Sequence, residues 1–257
     1  MPAAAKQKLR YPEIQNQLYK QKTRQLSITR DRTGGFGLTS PPPRTIQVKL
    51  SSIATQGGLG SFCLKGNTII QSNQSLTIPA GQILYLYNNN INQTPYSLTN
   101  YGTIIITHNT TPGGVASGIV ALNSSYPFIN TGTININGSF SSTLTGITNS
   151  GTINVQSNGS IIFSGNFTNT GVITNNGNGI YIGYQGNGTL TNAGTITNLK
   201  AGIINLGTAA VGINPPYNGT LINTGTITNN GTITRVPGLS TFTNNGTYHG
   251  LLPVPVS

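Results

Sequence analysis

The sequence predicts an all-β fold: a single-chain parallel β-helix with roughly 20–24 residues per rung, preceded by an extended basic arm with at most one short helix. Three observations carry this expectation. A phrase of the form apolar-x-Asn-x-Gly-Thr-Ile recurs along the chain, as in Phe128–Ile134 and Ile147–Ile153. The phrases are spaced at rung-like intervals, and the polar residues between them alternate with Ile, Leu, Val and Phe. Charge is almost confined to the first fifty residues, so the repetitive part is a nearly neutral body.

The N-terminal arm, residues 1–45, differs from the rest. Ten of the 13 Lys and Arg, and both acidic residues (Glu13 and Asp31), fall within residues 1–50, a net +8 against +11 for all 257 residues. The remainder carries only Lys65, Lys200 and Arg235. Pro12 in a first turn, Glu13 after it, and apolar Ile14, Leu18 and Leu26 permit a short helix over about 12–26. Gly34-Gly35 and Pro41-Pro42-Pro43 then mark a hinge and an extended stretch. The arm's candidate contacts are Lys6, Lys8, Arg10, Tyr11, Ile14, Leu18, Tyr19, Lys20, Lys22, Arg24, Leu26, Arg30 and Arg32. Such a set can lie across an acidic protein surface or neutralise nucleic-acid phosphates or anionic lipid. The apolar members favour a protein groove, and nucleic acid is the second choice. The bland alternative is a solvated terminus.

Residues 46–65 read as a strand-rich transition, opened by the alternation Thr45-Ile46-Gln47-Val48-Lys49-Leu50. The solenoid is expected over 66–250. Asn67–Ile70 and Ser75–Leu84 read as strand, corner, strand. Further phrases follow at Phe167–Ile173 (Val172 replacing Thr), Leu190–Ile196, Leu221–Ile227 and Phe242–Tyr248, with a looser one at Leu98–Ile104. The phrase glycines fall about 20 residues apart. Two wider gaps leave room for loops at Thr111–Gly114 and Asn214–Tyr217, and the short step from Gly225 to Gly231 implies two corners in one rung. The Pro-containing tail, 251–257, cannot continue a central strand because proline lacks an N–H.

Within Gly-Thr-Ile-Thr a period of two turns Ile to the core and both threonines outward. Glycine is assigned the backbone freedom of a tight corner, and Asn the hydrogen bonds of that corner. The corner residues are Asn130 and Gly132, Asn149 and Gly151, Asn169 and Gly171, Asn192 and Gly194, Asn223 and Gly225, and Asn244 and Gly246. Stacked at the strand spacing of ~4.8 Å, equivalent asparagines can form ladders. Eight Asn-Gly pairs offer a rival, an antiparallel sheet of hairpins. Hairpins, however, give no reason for Asn-x-Gly-Thr-Ile to recur at rung intervals.

The phrase, together with the Leu76–Leu84 entry, resembles Asn/Gly/Thr-rich parallel β-helix proteins. These occur among minor capsid and virion-surface proteins of large DNA viruses, phage tail-spike-like proteins and bacterial adhesins. The resemblance covers roughly residues 66–250 and implies architecture more than role. Met1–Lys6 runs into polar sequence without an apolar signal segment, unlike secreted adhesins, so the expectation is synthesis in a host cytoplasm and a place in the virion.

Catalytic chemistry finds little material. Glycosidases need two carboxylates, and residues 51–257 contain none. The same lack removes carboxylate Ca²⁺ sites, while two His and one Cys make a tetrahedral zinc site unpromising. Lyase chemistry would have to use the scattered Arg235, Lys200, His108 or His249. Cys63, flanked by Phe62 and Leu64, reads as a buried inert thiol. Eleven Asn-x-Ser/Thr sequons follow from composition. Outward threonine pairs (189/191, 195/197, 226/228, 232/234) suggest an ice-binding face, but their unequal spacing argues against a regular array. The expectation is therefore a structural, non-enzymatic protein without cofactor or metal. The arm would dock on capsid or other assembly proteins, and homo-oligomerisation of the solenoids is compatible with the sequence. A carbohydrate- or ice-binding module is the alternative, and a polysaccharide-degrading β-helix ranks last.

Overall fold

The computed structural model describes residues 45–255, apart from 58–59, 88–94, 111–116, 122–126, 144–145, 185 and 208–216, together with 29–30 and 36–37. The chain forms two units, Met1–Thr45 and Ile46–Ser257. In the first, Thr29–Arg30 and Phe36–Gly37 pair antiparallel, Arg30 opposite Phe36. The helix expected over about 12–26 lies outside the described residues.

The second unit is a parallel β-helix of three sheets. Each rung runs through sheet III, turns at the Gly of the phrase into sheet I, turns again into sheet II, and returns to sheet III one level further on. One full rung is Phe128–Asn130, Thr133–Ile136 and Ser139–Ser142. Sheet I has nine strands from Ile46–Val48 to Thr247–Gly250, sheet II ten from Ala54–Gln56 to Val254–Pro255, and sheet III eight from Thr68–Ile70 to Thr241–Asn244. At ~4.8 Å per step the stack is on the order of 40 Å long.

Alternation decides what is buried. In sheet I, Leu76, Ile104, Ile134, Ile153, Ile173, Ile196 and Ile227 lie in one column in register, each at most 3% exposed. Leu84, Ile119, Phe140, Ile161, Ile180, Ile204 and Ile233 form the facing column of sheet II. Their threonine neighbours sit on the outer face, half-exposed. One continuous apolar core runs from Leu50 to Ile233.

The Asn-Gly pairs do not make hairpins. Asn137-Gly138, Asn158-Gly159, Asn176-Gly177 and Asn230-Gly231 turn sheet I into sheet II, whereas Asn187-Gly188 and Asn218-Gly219 lead into sheet III. Gly225 and Gly231 are two corners of one rung. Among the described residues of the second unit, strands pair antiparallel only between Ala54–Gln56 and Ser61–Leu64, with one isolated antiparallel bridge at Tyr87 and Pro95.

The stretch read as a transition contributes to the stack. Ile46–Val48 pairs parallel with the strand Gln74–Ile78, and Ser61–Leu64 with Ile83–Tyr85. The alternation to Leu50 is cut short at Val48: a four-residue helix, Leu50–Ile53, carries Leu50 and the following Ala54 over the end of the core, 8% and 1% exposed. At the other end Val254–Pro255 is an edge strand, where a missing N–H costs no ladder bond.

Candidate functional site

The phrase asparagines stand in one line at the corner between sheets III and I, buried as far as Asn223. Asn100 Nδ2 donates to Asn130 Oδ1 at 2.7 Å, and the relay continues through Asn149 (2.6 Å), Asn169 (2.7 Å), Asn192 (2.7 Å), Asn223 (2.7 Å) and Asn244 (2.7 Å). Each interior amide also reaches backbone oxygens; Asn130 Nδ2 approaches Gly132 O at 3.3 Å and Thr152 O at 3.2 Å. Asn100 to Asn223 are fully buried. A buried amide is tolerated only when satisfied, and here each carbonyl oxygen takes its neighbour's N–H.

The glycines of the phrase play a different part from the one expected. Among the described residues positive φ occurs at nine glycines, Gly81 and Gly207 included, but at none of Gly132, Gly151, Gly171, Gly194, Gly225 and Gly246. A Cβ on Gly132 would fall inside 3.0 Å of Gly102 O, and the same holds for Gly151 on Gly132 and for each later pair. The residue is required by the close approach of one rung's backbone to the next. Left-handed geometry plays no part.

A second ladder escaped the sequence reading. Asn175 Nδ2 donates to Asn198 Oδ1 at 2.8 Å, and Asn198 Nδ2 to Asn229 Oδ1 at 2.7 Å, all three fully buried in sheet I. They continue a column whose earlier members are Ile78, Ile106, Ile136 and Val155. The signal was present as a repeated Ile-Thr-Asn at 173–175, 196–198 and 227–229. Asn100 likewise belongs to the first ladder although its phrase was read as the looser one.

The four outward threonine pairs do not share one face: 195/197 and 226/228 lie on sheet I, 189/191 on sheet III and 232/234 on sheet II, and regular rows run only within a single sheet. Thr103, Thr133, Thr152, Val172, Thr195, Thr226 and Thr247 share one outward row of sheet I, and Thr174, Thr197 and Thr228 lie in a second. Sequence separations of 19 to 31 residues between successive asparagines are absorbed outside the strands, leaving the register unbroken.

The arm residues named above lie outside the described residues except Arg30, of which only backbone pairing is defined. The loops expected at 111–114 and 214–217 also lie outside them, save Tyr217. The scattered basic and imidazole groups do not converge. His108 follows the third strand of sheet I whereas His249 lies in the ninth, and His108, Lys200, Arg235 and His249 are all exposed. Cys63 is buried, and desolvation holds its thiol above the ordinary 9.0. Desolvation likewise raises the phenols of Tyr87 (with Tyr85 and Cys63 adding to it) and Tyr248. A shallow hollow of about 380 Å³ near the first rungs is lined by Ser52, Ile53, Lys65 and 66–69, and Lys65 Nζ there donates to Ser51 O at 2.9 Å. Among the described residues no three His, Cys, Asp or Glu gather as a metal site, and no helix is long and apolar enough to cross a membrane.

Fold and ladders define the chain as a parallel β-helix protein with asparagine-stacked corners. Comparison with protein-family models, with curated proteins and with solved structures gives no match.

Proposed function

We propose that this chain is a structural, non-catalytic component of a virus particle. Its basic N-terminal arm docks on capsid or other assembly subunits, and its β-helix serves as a rigid strut or surface module. The partition of charge carries the reading: residues 1–50 hold ten cations, and the remaining 207 residues hold three and no carboxylate. Extended basic arms wrap partners at an ordering cost, whereas a neutral stack saturated with internal hydrogen bonds resists deformation. In support, no buried side-chain nitrogen or oxygen among the described residues lacks a partner. The resemblance to minor capsid and virion-surface β-helices supplies the setting.

The test is deletion of residues 1–45. The truncated chain is expected to keep a β-type circular dichroism spectrum and a cooperative melt while disappearing from purified particles. Incorporation at the full-length level overturns the docking role. Nucleic acid as the arm's partner would instead show as binding that falls steeply and linearly in log–log form with salt.

The in-register threonine rows favour a second reading, a carbohydrate- or ice-binding module. Thermal hysteresis, or glycan-array binding retained without the arm, would select it.

A further inference from the structure

The asparagines of the β-helix fall into two chemical sets. Ten form the two ladders, and none of those ten is followed directly by glycine; in the phrase Asn-x-Gly a residue such as Thr131 or Ser150 always intervenes. All eight Asn-Gly pairs use asparagines outside the ladders. In Asn-Gly the glycine nitrogen has no Cβ of its own residue beside it and can attack the asparagine Cγ. The new C–N bond closes a five-membered succinimide and the side-chain amide leaves as ammonia. Water then opens the ring at either carbonyl, giving aspartate or isoaspartate, with nothing oxidised or reduced. Closure needs a glycine N–H free to give up its proton and an asparagine side chain free to swing onto it.

The native corners differ in which of these groups they hold. Gly159 N–H donates to Gln156 O at 2.7 Å, Gly177 N–H to Asn175 Oδ1 at 3.2 Å and Gly188 N–H to Asn218 O at 2.9 Å. Asn137 Oδ1 accepts from Asn158 N–H at 3.3 Å, and Asn187 Oδ1 from Asn218 N–H at 3.0 Å. Gly179 and Gly219 are strand residues, in register with Ser160 and Gly188. Two pairs remain. Asn230 and Asn245 are exposed, and among the described residues neither their side-chain amides nor the N–H groups of Gly231 and Gly246 have a hydrogen-bond partner.

We propose that Asn230 and Asn245 are modification sites, at which the folded β-helix converts asparagine to aspartate and isoaspartate faster than at any other of its positions. Asn230 is the better placed. Its own N–H is fixed on Asn198 O at 2.8 Å and Thr232 N–H on Gly202 O at 3.0 Å, so the corner 199–202, with exposed Lys200, lies one rung below. A cation there favours both the anionic nitrogen as closure begins and the carboxylate that results. The products are the first carboxylates of residues 51–257, and each lowers the net charge of the β-helix by one. The ladders keep their amides. Asn229 and Asn244 stand directly before the two sites in sequence, but each is followed by asparagine and is tied to the neighbouring rung.

Ageing the full chain in neutral and mildly alkaline buffer, followed by peptide mapping, tests this. Each event raises the mass by about 1 Da. Conversion at Asn230 and Asn245 is expected at least tenfold faster than at Asn158 and Asn187, and faster at the higher pH, while the ladder asparagines stay intact. In the denatured chain the eight Asn-Gly pairs should react at similar rates, which isolates the fold as the cause. Asn230→Gln combined with Asn245→Gln, at exposed positions, should remove most of the native conversion with an unchanged melt. Equal native rates across the eight pairs, faster conversion at Asn158 or Asn187, a ladder asparagine converting first, or the same preference in the denatured chain would each overturn the proposal.

Discussion

The side-chain amide of Asn149 donates to Asn169 Oδ1 at 2.7 Å while its own Oδ1 accepts from Asn130 at 2.6 Å, so each corner amide is held by the rungs before and after it. Removing one member therefore strands two groups. Asn169→Ala leaves Asn149 Nδ2 without its ladder acceptor and Asn192 Oδ1 without its donor, both in a dry interior. At ~1–3 kcal/mol for each abandoned buried group, a loss of about 3 kcal/mol is expected. Asn244→Ala, at the exposed end, abandons only Asn223 Nδ2 and should cost about half as much. Urea denaturation of the two variants measures the contrast; equal losses would remove the ladder as a source of stability.

Glycine substitutions separate crowding from backbone freedom. A Cβ on Gly171 would run into Gly151 O, a backbone atom with no room to retreat, whereas one on Gly146 meets nothing within 4 Å. Gly171→Ala should destabilise by about 3 kcal/mol or more, as overpacking against a fixed wall does. Gly146→Ala should be neutral or gain a few tenths to about 1 kcal/mol from the unfolded chain's lost freedom. Thermal melts of the pair decide it.

These contrasts also show which parts of the molecule were legible beforehand. The period of two in Gly-Thr-Ile-Thr places Ile134 and Ile153 inside without reference to any other part of the chain, so this part of the core follows from local pattern. The function of Gly132 does not follow, because glycine fits a left-handed corner and a crowded one equally well, and only the neighbouring rung distinguishes them. Asn175 was opaque for a related reason. An inward asparagine is unfavourable alone and becomes acceptable only through Asn198, 23 residues away. The threonine rows of sheet I were hidden because sequence spacing counts loop residues that the register ignores.

The pH profile should be lopsided. Residues 51–257 contain no Asp or Glu, so the β-helix has no side-chain carboxylates whose protonation would unfold it. At the alkaline side Cys63, Tyr87 and Tyr248 are all held above their ordinary values of 9.0, 10.0 and 10.0, chiefly by burial. A raised folded value means that the unfolded chain loses its proton first. The stabilisation is therefore intact below about pH 9 and declines as pH rises further. Melting temperature is expected to be nearly flat from about pH 3 to 8 and to fall above that window. Cys63 should react slowly with thiol reagents until the chain is unfolded. An acid transition of the isolated β-helix would contradict the first expectation, and rapid native labelling the second.

The second ladder offers a sharper test of cooperativity, because its column is apolar in the earlier rungs. Asn198→Ile alone would remove the acceptor of Asn175 Nδ2 and the donor to Asn229 Oδ1, and would also forfeit the bonds from Asn198 Nδ2 to Gly202 O (3.1 Å) and Thr232 O (3.2 Å). A loss of about 3 kcal/mol or more is expected. Converting all three, Asn175, Asn198 and Asn229, to Ile abandons no amide. It extends the column Ile78, Ile106, Ile136 and Val155 to the last rungs, which replaces a polar relay by apolar groups of similar size. It is not cost-free, since Gly177 N–H loses Asn175 Oδ1 and Leu251 O loses Asn229 Nδ2. The triple variant should therefore lose far less than the sum of the three single variants, a coupling of about 1–3 kcal/mol between neighbours. Additive losses in urea titrations would mean that the three asparagines act separately, through their backbone bonds, and not as a ladder.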